Sequence, residues 1–378
     1  MHDLLLVFSS AATAEYRVAG VPAAARAIQA IGTLPQRAGI GRCTIVAGPG
    51  GVPDGALIDE CRRLAPHVAV DFATGPAIAP NATAIRGERF VAALSPVRAG
   101  RPVAPLAALI ESRMADTARP NDRIGDEASL LRMLDRAGRD ILAASGKAGD
   151  GIVSRHLNRP ISRSISRRLL RVPGITPTHA SMGTAVLGFL MTLALFLGDE
   201  AGLIAGAILF QAASIFDGVD GEMARATWRS TDAGATLDSV IDACTNLAFL
   251  IGISLNVGLT GDQVGAAAGV VTLATLGSGL YLIGRRARSR GEPVNFDGIK
   301  HRLRARGRPS FLVEALIRLT MRDFLALATA MLVIAGLTHW LLLGSSIVAL
   351  GWFGVTVVTL LRDPVEHATG GPRPATGR

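Results

Sequence analysis

Hydrophobic positions follow two different patterns along the chain, and the first lies within residues 1–150. There, short apolar runs alternate with segments whose apolar residues recur at helical spacing. The predicted strands are 4–8, 43–47, 68–72 and 90–94, and the predicted helices are 22–34, 56–64 and 129–144. Strands alternating with helices are typical of an α/β layer with a largely parallel sheet. We therefore predict an N-terminal α/β domain.

The second pattern consists of six long apolar blocks, each long enough to cross a hydrocarbon core of about 30 Å. The predicted spans are 179–198, 201–225, 234–257, 263–284, 322–338 and 340–361. The prediction is thus a multi-domain protein whose α/β domain precedes an all-α six-helix transmembrane domain at 179–362. Residues 151–178 are predicted to form an interfacial juxtamembrane helix, and 363–378 a flexible cytoplasmic tail.

Composition agrees with a large membrane-embedded part. Hydrophobic residues make up 49% of the 378 positions, charged residues only 18%, and the mean hydropathy is +0.38. These values exclude a disordered chain, which would be polar and highly charged. The three scattered cysteines exclude a disulfide scaffold.

The positive charges bracket the predicted spans. Residues 285–308 hold nine basic residues, whereas the connection at 258–262 has no lysine or arginine. The positive-inside rule then places the α/β domain and both termini in the cytoplasm, with the spans in the inner (cytoplasmic) membrane. Because no aromatic residues are interleaved with the basic ones, nucleic acid is not a predicted partner.

A basic stripe precedes the first span. Arg155, Arg159, Arg163 and Arg167 recur every four residues, with Ile161, Ile165, Leu169 and Leu170 on the opposite face. This pattern predicts an amphipathic helix lying on membrane lipids of an anionic leaflet. The alternative is that the arginines only enforce topology.

Four aspartates are predicted to meet inside the membrane domain. Asp217 and Asp220 are spaced i,i+3 on the second span, and Asp238 and Asp242 are spaced i,i+4 on the third. The short 226–233 loop makes these spans antiparallel neighbours. Charges in a bilayer are costly and indicate a functional site. Oxygen ligands without histidine or cysteine favour Mg²⁺ or Mn²⁺, and four carboxylates suit a two-metal phosphoryl-transfer site. The alternative, acids paired with arginines for helix packing, is disfavoured because Arg225 and Arg229 cannot neutralise four acids.

Glycines and one arginine complete this pattern. Gly218, Gly221 and Gly234 remove side chains where a ligand or a facing helix must approach closely. Arg225 offers a fork of donors for phosphate oxygens.

The spacing D-x2-D-G-x2-A-R-x8-G-x3-D-x3-D resembles the signature of the CDP-alcohol phosphotransferase (CDP-alcohol phosphatidyltransferase) family. The resemblance covers about residues 155–362. It implies that Asp217, Asp220 and Asp238 coordinate two divalent metals, Mg²⁺ or Mn²⁺, and that Asp242 completes this site. It also places Asp238 and Asp242 among the catalytic residues, with Asp242 as general base toward the acceptor hydroxyl.

Further implications of the resemblance concern ligands and partners. Gly221, Ala224, Arg225 and Gly234 would line the cytidine-diphosphate site. The partners would be a CDP-alcohol donor, an alcohol or phospho-alcohol acceptor, and a second copy of the chain in a homodimer. An anionic head group of the acceptor could contact Arg286, Arg288, Lys300 and Arg302. These four residues could equally form a solvated loop that only sets topology.

The order of the two domains resembles that of inositol-1-phosphate cytidylyltransferase/di-myo-inositol-phosphate-phosphate synthase fusions. Residues 321–324 also resemble a segment of these fused family members. Residues 18–22 and 38–47 are similar to a nucleotidyltransferase-like fold. Active members have a glycine-rich loop after the first strand, but here residues 9–17 contain no glycine. The metal-binding acid of a later strand is replaced at Leu94-Ser95-Pro96. A degenerate domain is therefore expected.

The leading prediction is an integral-membrane enzyme of phospholipid biosynthesis. It would transfer a phosphoalcohol group from a CDP-alcohol such as CDP-diacylglycerol to an acceptor alcohol, with release of CMP. A synthase that joins soluble CDP-inositol to inositol phosphate is the alternative. A catalytically silent, nucleotide-sensing membrane scaffold and a cytidylyltransferase with a passive anchor are also retained.

Overall fold

The computed structural model describes residues 2–33, 40–48, 54–73, 83–98, 126–146, 150–197, 199–290, 303 and 310–362. Lys300, Arg302 and the predicted tail at 363–378 lie outside the described residues. The chain divides into two compact units. The first unit comprises Met1–Asp150, Arg155–Ser181 and Phe216–Ser230, and the second comprises Gly151–Ser154, Met182–Ile215 and Thr231–Arg378.

A four-stranded parallel sheet organises the α/β part of the first unit. Its strands are β1 (His2–Phe8), β4 (Ile40–Ala47), β5 (Val70–Ala73) and β6 (Thr83–Arg86), in the order β5-β4-β1-β6. A two-stranded hairpin of β2 (Arg17–Val18) and β3 (Val21–Pro22) is separate from this sheet. The predicted α/β class is confirmed.

Five helices accompany the sheet within the described part of residues 2–146. They are α1 (Ala11–Glu15), α2 (Ala23–Gly32), α3 (Gly55–Leu64), α4 (Gly87–Arg98) and α5 (Glu127–Ala143). Fully buried Phe8 and Ile45 from the strands pack in one core with Ile28, Leu57 and Phe90 from the helices. The sequence therefore predicts α2, α3 and α5 closely.

One predicted strand is wrong. Residues 90–94 lie inside α4, and the strand beside β1 is the preceding β6. Phe90 and Val91 are fully buried, and Leu94 packs one helical turn further along. A short apolar run of this kind fits a buried helix as well as a strand, because the hydrophobic period alone does not separate them.

The basic segment after the α/β part forms helix α6 (Arg159–Leu169), preceded by a π-helical turn at Ser154–Asn158. The apolar face of α6, with Ile165 and Leu169, packs on the core of the first unit. Arg167 pairs with Asp135 of α5 at 2.6 Å. Part of the predicted lipid-facing stripe thus faces acidic residues of the protein, and the membrane-surface role stays a prediction.

Five helices are long and apolar enough to cross a membrane among the residues described. They are α7 (Pro177–Phe196), α8 (Glu200–Thr227), α9 (Asp232–Leu259), α10 (Gln263–Arg290) and α13 (Thr338–Arg362). In α10 the candidate span is Gln263–Ser289. The predicted span at 322–338 instead contains α12 (Arg322–Ile334), which follows α11 (Phe311–Leu319). At 1.5 Å per residue, α12 is only about 20 Å long, shorter than a hydrocarbon core.

The core of the second unit is built by these long helices. Phe210 of α8 stacks on Phe249 of α9, with ring centroids 4.2 Å apart. The buried side-chain amide of Asn256 donates to the carbonyl of Leu195 near the end of α7. Large apolar side chains also face outward, including Phe189 and Trp340, as lipid contact requires. The helices and their composition indicate a membrane protein.

Candidate active site

The signature residues lie on two consecutive helices, the C-terminal half of α8 and the N-terminal half of α9. Helix α8 ends at Thr227, and Trp228 follows in the left-handed conformation with φ 54°. The amide of Arg229 then donates to the carbonyl of Ala224, which closes the helix end in a Schellman pattern. Thr231 caps α9 by accepting from the amide of Gly234. The connection between α8 and α9 is thus as short as predicted, and the antiparallel packing of the two signature segments stays a prediction.

Three of the four signature aspartates share the same degree of burial. Asp217 in the first unit and Asp238 and Asp242 in the second are all half-buried. Asp238 and Asp242 lie one turn apart on α9, so their like charges repel unless a proton or a cation lies between them. This set of hard oxygen donors fits Mg²⁺ or Mn²⁺.

The fourth aspartate, Asp220, has a hydroxyl partner. Asp220 is one helical turn from Asp217, is 7% exposed, and accepts a hydrogen bond from the hydroxyl of Ser181. The sequence predicts that all four acids converge, but it does not reveal that Ser181 is a competing donor for Asp220.

Arg322 forms an ion pair with Asp242 in the second unit, and its side chain is 12% exposed. The sequence analysis assigned residues 321–324 to the fused relatives but did not place Arg322 beside an aspartate of the signature. The signal was the arginine itself at the start of an apolar helix, where a buried cation needs an acidic partner.

Arg225 reaches back along its own helix and toward α5. Its Nε donates to the carbonyl of Ser145 at 2.6 Å. A Cβ placed on Gly221 would lie 2.9 Å from Nη1 of Arg225. The glycine therefore leaves room for the guanidinium. Ala224 is half-buried and Gly234 is exposed.

A buried charge network next to these residues was missed by the sequence analysis. The carboxylate of Glu222, which is fully buried, accepts from Arg159 at 3.0 Å and from the hydroxyls of Ser162 and Ser166 at 2.7 Å each. Arg159 also makes two 2.8 Å bonds to Asp150. These bonds hold α6 against the signature helix. The only sequence signal was an acid at a variable position of the motif.

Arg159 has a raised pKa as a consequence of this network. Burial acts to lower the pKa, but the hydrogen bonds and charges of Asp150 and Glu222 outweigh burial. A Cβ on Gly218 would lie 2.8 Å from Nη1 of Arg159. The close approach predicted at Gly218 is therefore made by an arginine.

The predicted acceptor residues are described only in part. Arg286 is half-buried and Arg288 is exposed, both near the end of α10. The other two predicted acceptor residues lie outside the described part of the chain.

The turn after β1 has an internal carboxylate. Glu88, 3% exposed, accepts from the amide of Ser9 at 2.6 Å and from the hydroxyl of Thr13 at 2.7 Å. Ser10 caps the short helix α1. The acid that follows β6 is therefore Glu88. The segment Leu94-Ser95-Pro96, in which the sequence analysis sought such an acid, lies within α4.

Residues 175–357 match the family model described as CDP-alcohol phosphatidyltransferase. A bifunctional IPC transferase and DIPP synthase of Aquifex aeolicus is 41% identical over 108 residues, which are 29% of this chain and 24% of that protein. A protein of the same description from Thermococcus kodakarensis is 39% identical over 118 residues, 31% of this chain and 26% of the relative.

An archaetidylinositol phosphate synthase of Methanothermobacter thermautotrophicus is 38% identical over 103 residues, 27% of this chain and 49% of that protein. The chain thus spans about a quarter of the length of the two bifunctional relatives and about half of the third. The bifunctional relatives are consistent with a nucleotidyltransferase-like N-terminal domain. The C-terminal region of this chain is thus similar to the CDP-alcohol phosphatidyltransferase family model, in agreement with the resemblance of its aspartate signature.

Proposed function

We propose that the protein joins CDP-inositol to an inositol phosphate with release of CMP. The complete aspartate signature inside the family domain carries this proposal. The relatives described as IPC transferase and DIPP synthase favour CDP-inositol over CDP-diacylglycerol, the donor expected first from the sequence.

In the proposed reaction, a hydroxyl oxygen of the acceptor attacks the β-phosphorus of the CDP-alcohol. The bond between that phosphorus and the oxygen bridging to the α-phosphorus breaks, so CMP leaves with the bridging oxygen. A carboxylate oxygen of Asp242 takes the proton of the attacking hydroxyl. The same carboxylate forms an ion pair with Arg322, which fixes its position in the second unit.

Asp217, Asp220, Asp238 and Asp242 are the proposed ligands of two divalent cations, Mg²⁺ or Mn²⁺. Asp217 and Asp220 lie one turn apart on α8, and Asp238 and Asp242 lie one turn apart on α9. When bound, such cations offset phosphate charge during in-line displacement. Asp238 is the proposed catalytic partner of Asp242, since it lies one turn before it on α9.

We place the cytidine-diphosphate end of the donor at Gly221, Ala224, Arg225 and Gly234. The Arg225 guanidinium supplies charged donors to phosphate oxygens. The anionic acceptor is proposed to contact Arg286 and Arg288 near the end of α10. Lys300 and Arg302 belong to the same proposal, although the structure does not describe them.

The α/β domain is proposed to be inactive as a cytidylyltransferase. Phosphates need free amides at the turn after β1, and the Ser9 amide is already bonded to Glu88. The carboxylate would also repel a triphosphate, because both are anionic. We keep the proposals of an inner-membrane location with cytoplasmic termini and of a homodimer. The side of the C-terminus depends on α12, since five spans would put the two ends on opposite faces.

A lipid donor is the second candidate, because one relative is described as an archaetidylinositol phosphate synthase. The test measures CMP release by the purified protein in liposomes with Mg²⁺. CDP-inositol and CDP-diacylglycerol are each paired with inositol phosphate, and Asp242→Asn serves as the control. We expect turnover with CDP-inositol. Turnover only with CDP-diacylglycerol would favour the lipid enzyme, and metal binding without CMP from any pair would favour the silent scaffold.

A further inference from the structure

Two arginines of the α/β domain bind the main chain at the C-terminal end of helix α8. Arg26 of α2 is 2% exposed and donates to the carbonyl of Ala226 at 2.9 Å. Arg63 of α3 donates to the carbonyl of Thr227 at 2.9 Å. The final carbonyls of a helix have no partners within the helix and carry partial negative charge. Two guanidinium groups therefore satisfy and stabilise this helix end.

The residue after the helix is held by the same arginine. Trp228 has φ 54°, a left-handed conformation that is unfavourable for a non-glycine residue. The guanidinium of Arg26 lies over the Trp228 ring, 4.6 Å from its centroid. This cation–π contact fixes the turn that leads from α8 toward α9.

The β2–β3 hairpin supports Arg26 from the other side. Arg26 also donates to the carbonyl of Val18 at 2.8 Å. Gly20 at the hairpin tip has φ 86°, and a Cβ there would lie 3.1 Å from a methyl group of Thr227. The arginine is therefore held rigidly between the hairpin and the helix end.

A third contact from the α/β domain acts on Arg225 itself. The carbonyl of Ser145, just after α5, accepts from Nε of Arg225. This bond fixes the orientation of a guanidinium that carries five donors in a rigid fork. Both the backbone around Arg225 and the orientation of its side chain thus depend on residues 1–150.

We propose that the N-terminal domain positions Arg225 and thereby sets the affinity of the membrane domain for the CDP group of its donor. Arg26 and Arg63 are positioning residues, because they contact the helix end and not the reacting atoms. The domain acts through contacts with the helix, independently of any nucleotidyl transfer of its own. This inference rests on the proposed function, since it places Arg225 at the CDP site.

The test compares two adjacent arginines on α3. Arg63→Ala removes the bond to Thr227, whereas Arg62→Ala is the matched control, because the Arg62 side chain is 77% exposed and pairs only weakly with Asp59 at 3.9 Å. Binding of radiolabelled CDP with Mg²⁺ is measured by equilibrium dialysis on the full-length protein in detergent. Donor KM, acceptor KM, kcat and thermal unfolding are measured on the same samples.

We expect Arg63→Ala to raise the CDP dissociation constant and the donor KM roughly threefold to tenfold, because a factor of ten corresponds to the loss of about one charged hydrogen bond. The kcat and the acceptor KM should change less than about twofold. Arg63→Lys should restore most of the affinity, and Arg62→Ala should match the wild type. A lower unfolding temperature with unchanged CDP affinity would show a merely structural role and overturn the proposal.

A double-mutant cycle isolates the route through Arg225. Arg63→Ala should change CDP affinity little further when Arg225 is already alanine, because the positioned group is gone. Full additivity would overturn the proposal. CDP binding that responds in this way without CMP release would refute the proposed reaction but keep the positioning role, whereas wild-type protein that fails to bind CDP would refute both.

Discussion

Removal of Glu222 should destabilise the first unit more than any ordinary surface substitution. Its buried carboxylate accepts three hydrogen bonds, one from Arg159 and two from serines of α6. Glu222→Ala leaves a buried cation and two hydroxyls without this partner. Breaking a buried ion pair in this way costs about 3–5 kcal/mol.

The expected loss lies near the lower end of that range, about 3 kcal/mol, because Arg159 keeps its two bonds to Asp150. For a unit of 150–250 residues this corresponds to a fall in Tm of roughly 6–12 °C. Glu222→Gln should lie between the wild type and Glu222→Ala, since the amide keeps the size and one acceptor oxygen.

Unfolding can be followed with a thiol-reactive maleimide dye at one fixed heating rate. Cys43 and Cys61 are buried in the first unit, and burial raises the pKa of each thiol to about 12, so both stay unreactive until the unit opens. Cys244 is exposed, so all proteins carry Cys244→Ser.

Ser164→Ala is the matched control for Glu222→Ala. It removes a hydroxyl from the same helix α6, but that hydroxyl is exposed and bonds only the carbonyl of Pro160. Its Tm should stay within about 1 °C of the parent, as for most surface substitutions. A Tm for Glu222→Ala equal to that of the control would refute the claim that the buried network stabilises the unit.

Three further predictions concern the site and the pH dependence. Asp242→Asn should abolish CMP release in protein that still folds, although loss of the ion pair with Arg322 lowers its Tm. Ordinary turnover by this variant would remove Asp242 as the base. Arg225→Ala should raise the donor KM roughly tenfold or more, as expected for a lost charge-assisted bond to phosphate. An unchanged donor KM would contradict the proposal that Arg225 binds the CDP group. Burial acts to raise the pKa of Asp135, but its bond from Arg171 and the charges of Arg167 and other arginines lower it overall. Asp135 therefore stabilises the fold above its unfolded pKa, and this stability is lost as pH falls through the folded pKa. The Tm difference between the wild type and Asp135→Asn should shrink from pH 7 to pH 3, and a constant difference would refute this.

Local spacing is enough to predict which aspartates share a helix. Asp217 and Asp220 lie one turn apart on α8, and Asp238 and Asp242 lie one turn apart on α9. The α/β class follows from equally local alternation. The strand predicted at 90–94 was wrong, because a five-residue apolar run has no distinguishing period and these residues lie in α4.

The buried polar partners were beyond sequence analysis for a different reason. Arg159 looks like one more member of a solvated basic stripe, and only the tertiary fold shows that it faces Glu222 and Asp150. The partner of Asp242, Arg322, is 80 residues away along the chain. Pairings of this kind depend on long-range packing, which residue spacing does not encode.

The carboxylate of Glu88 has an evolutionary consequence. Substitution of Glu88 alone would remove the acceptor of the exposed Ser9 amide and of the buried Thr13 hydroxyl, and loss of the buried bond costs roughly 1–3 kcal/mol. Glycines added to the turn while Glu88 remains would leave its negative charge where a phosphate would bind. Under the proposal that the domain is inactive, each single step toward nucleotide binding is therefore unfavourable by itself, and selection would preserve the inactive turn.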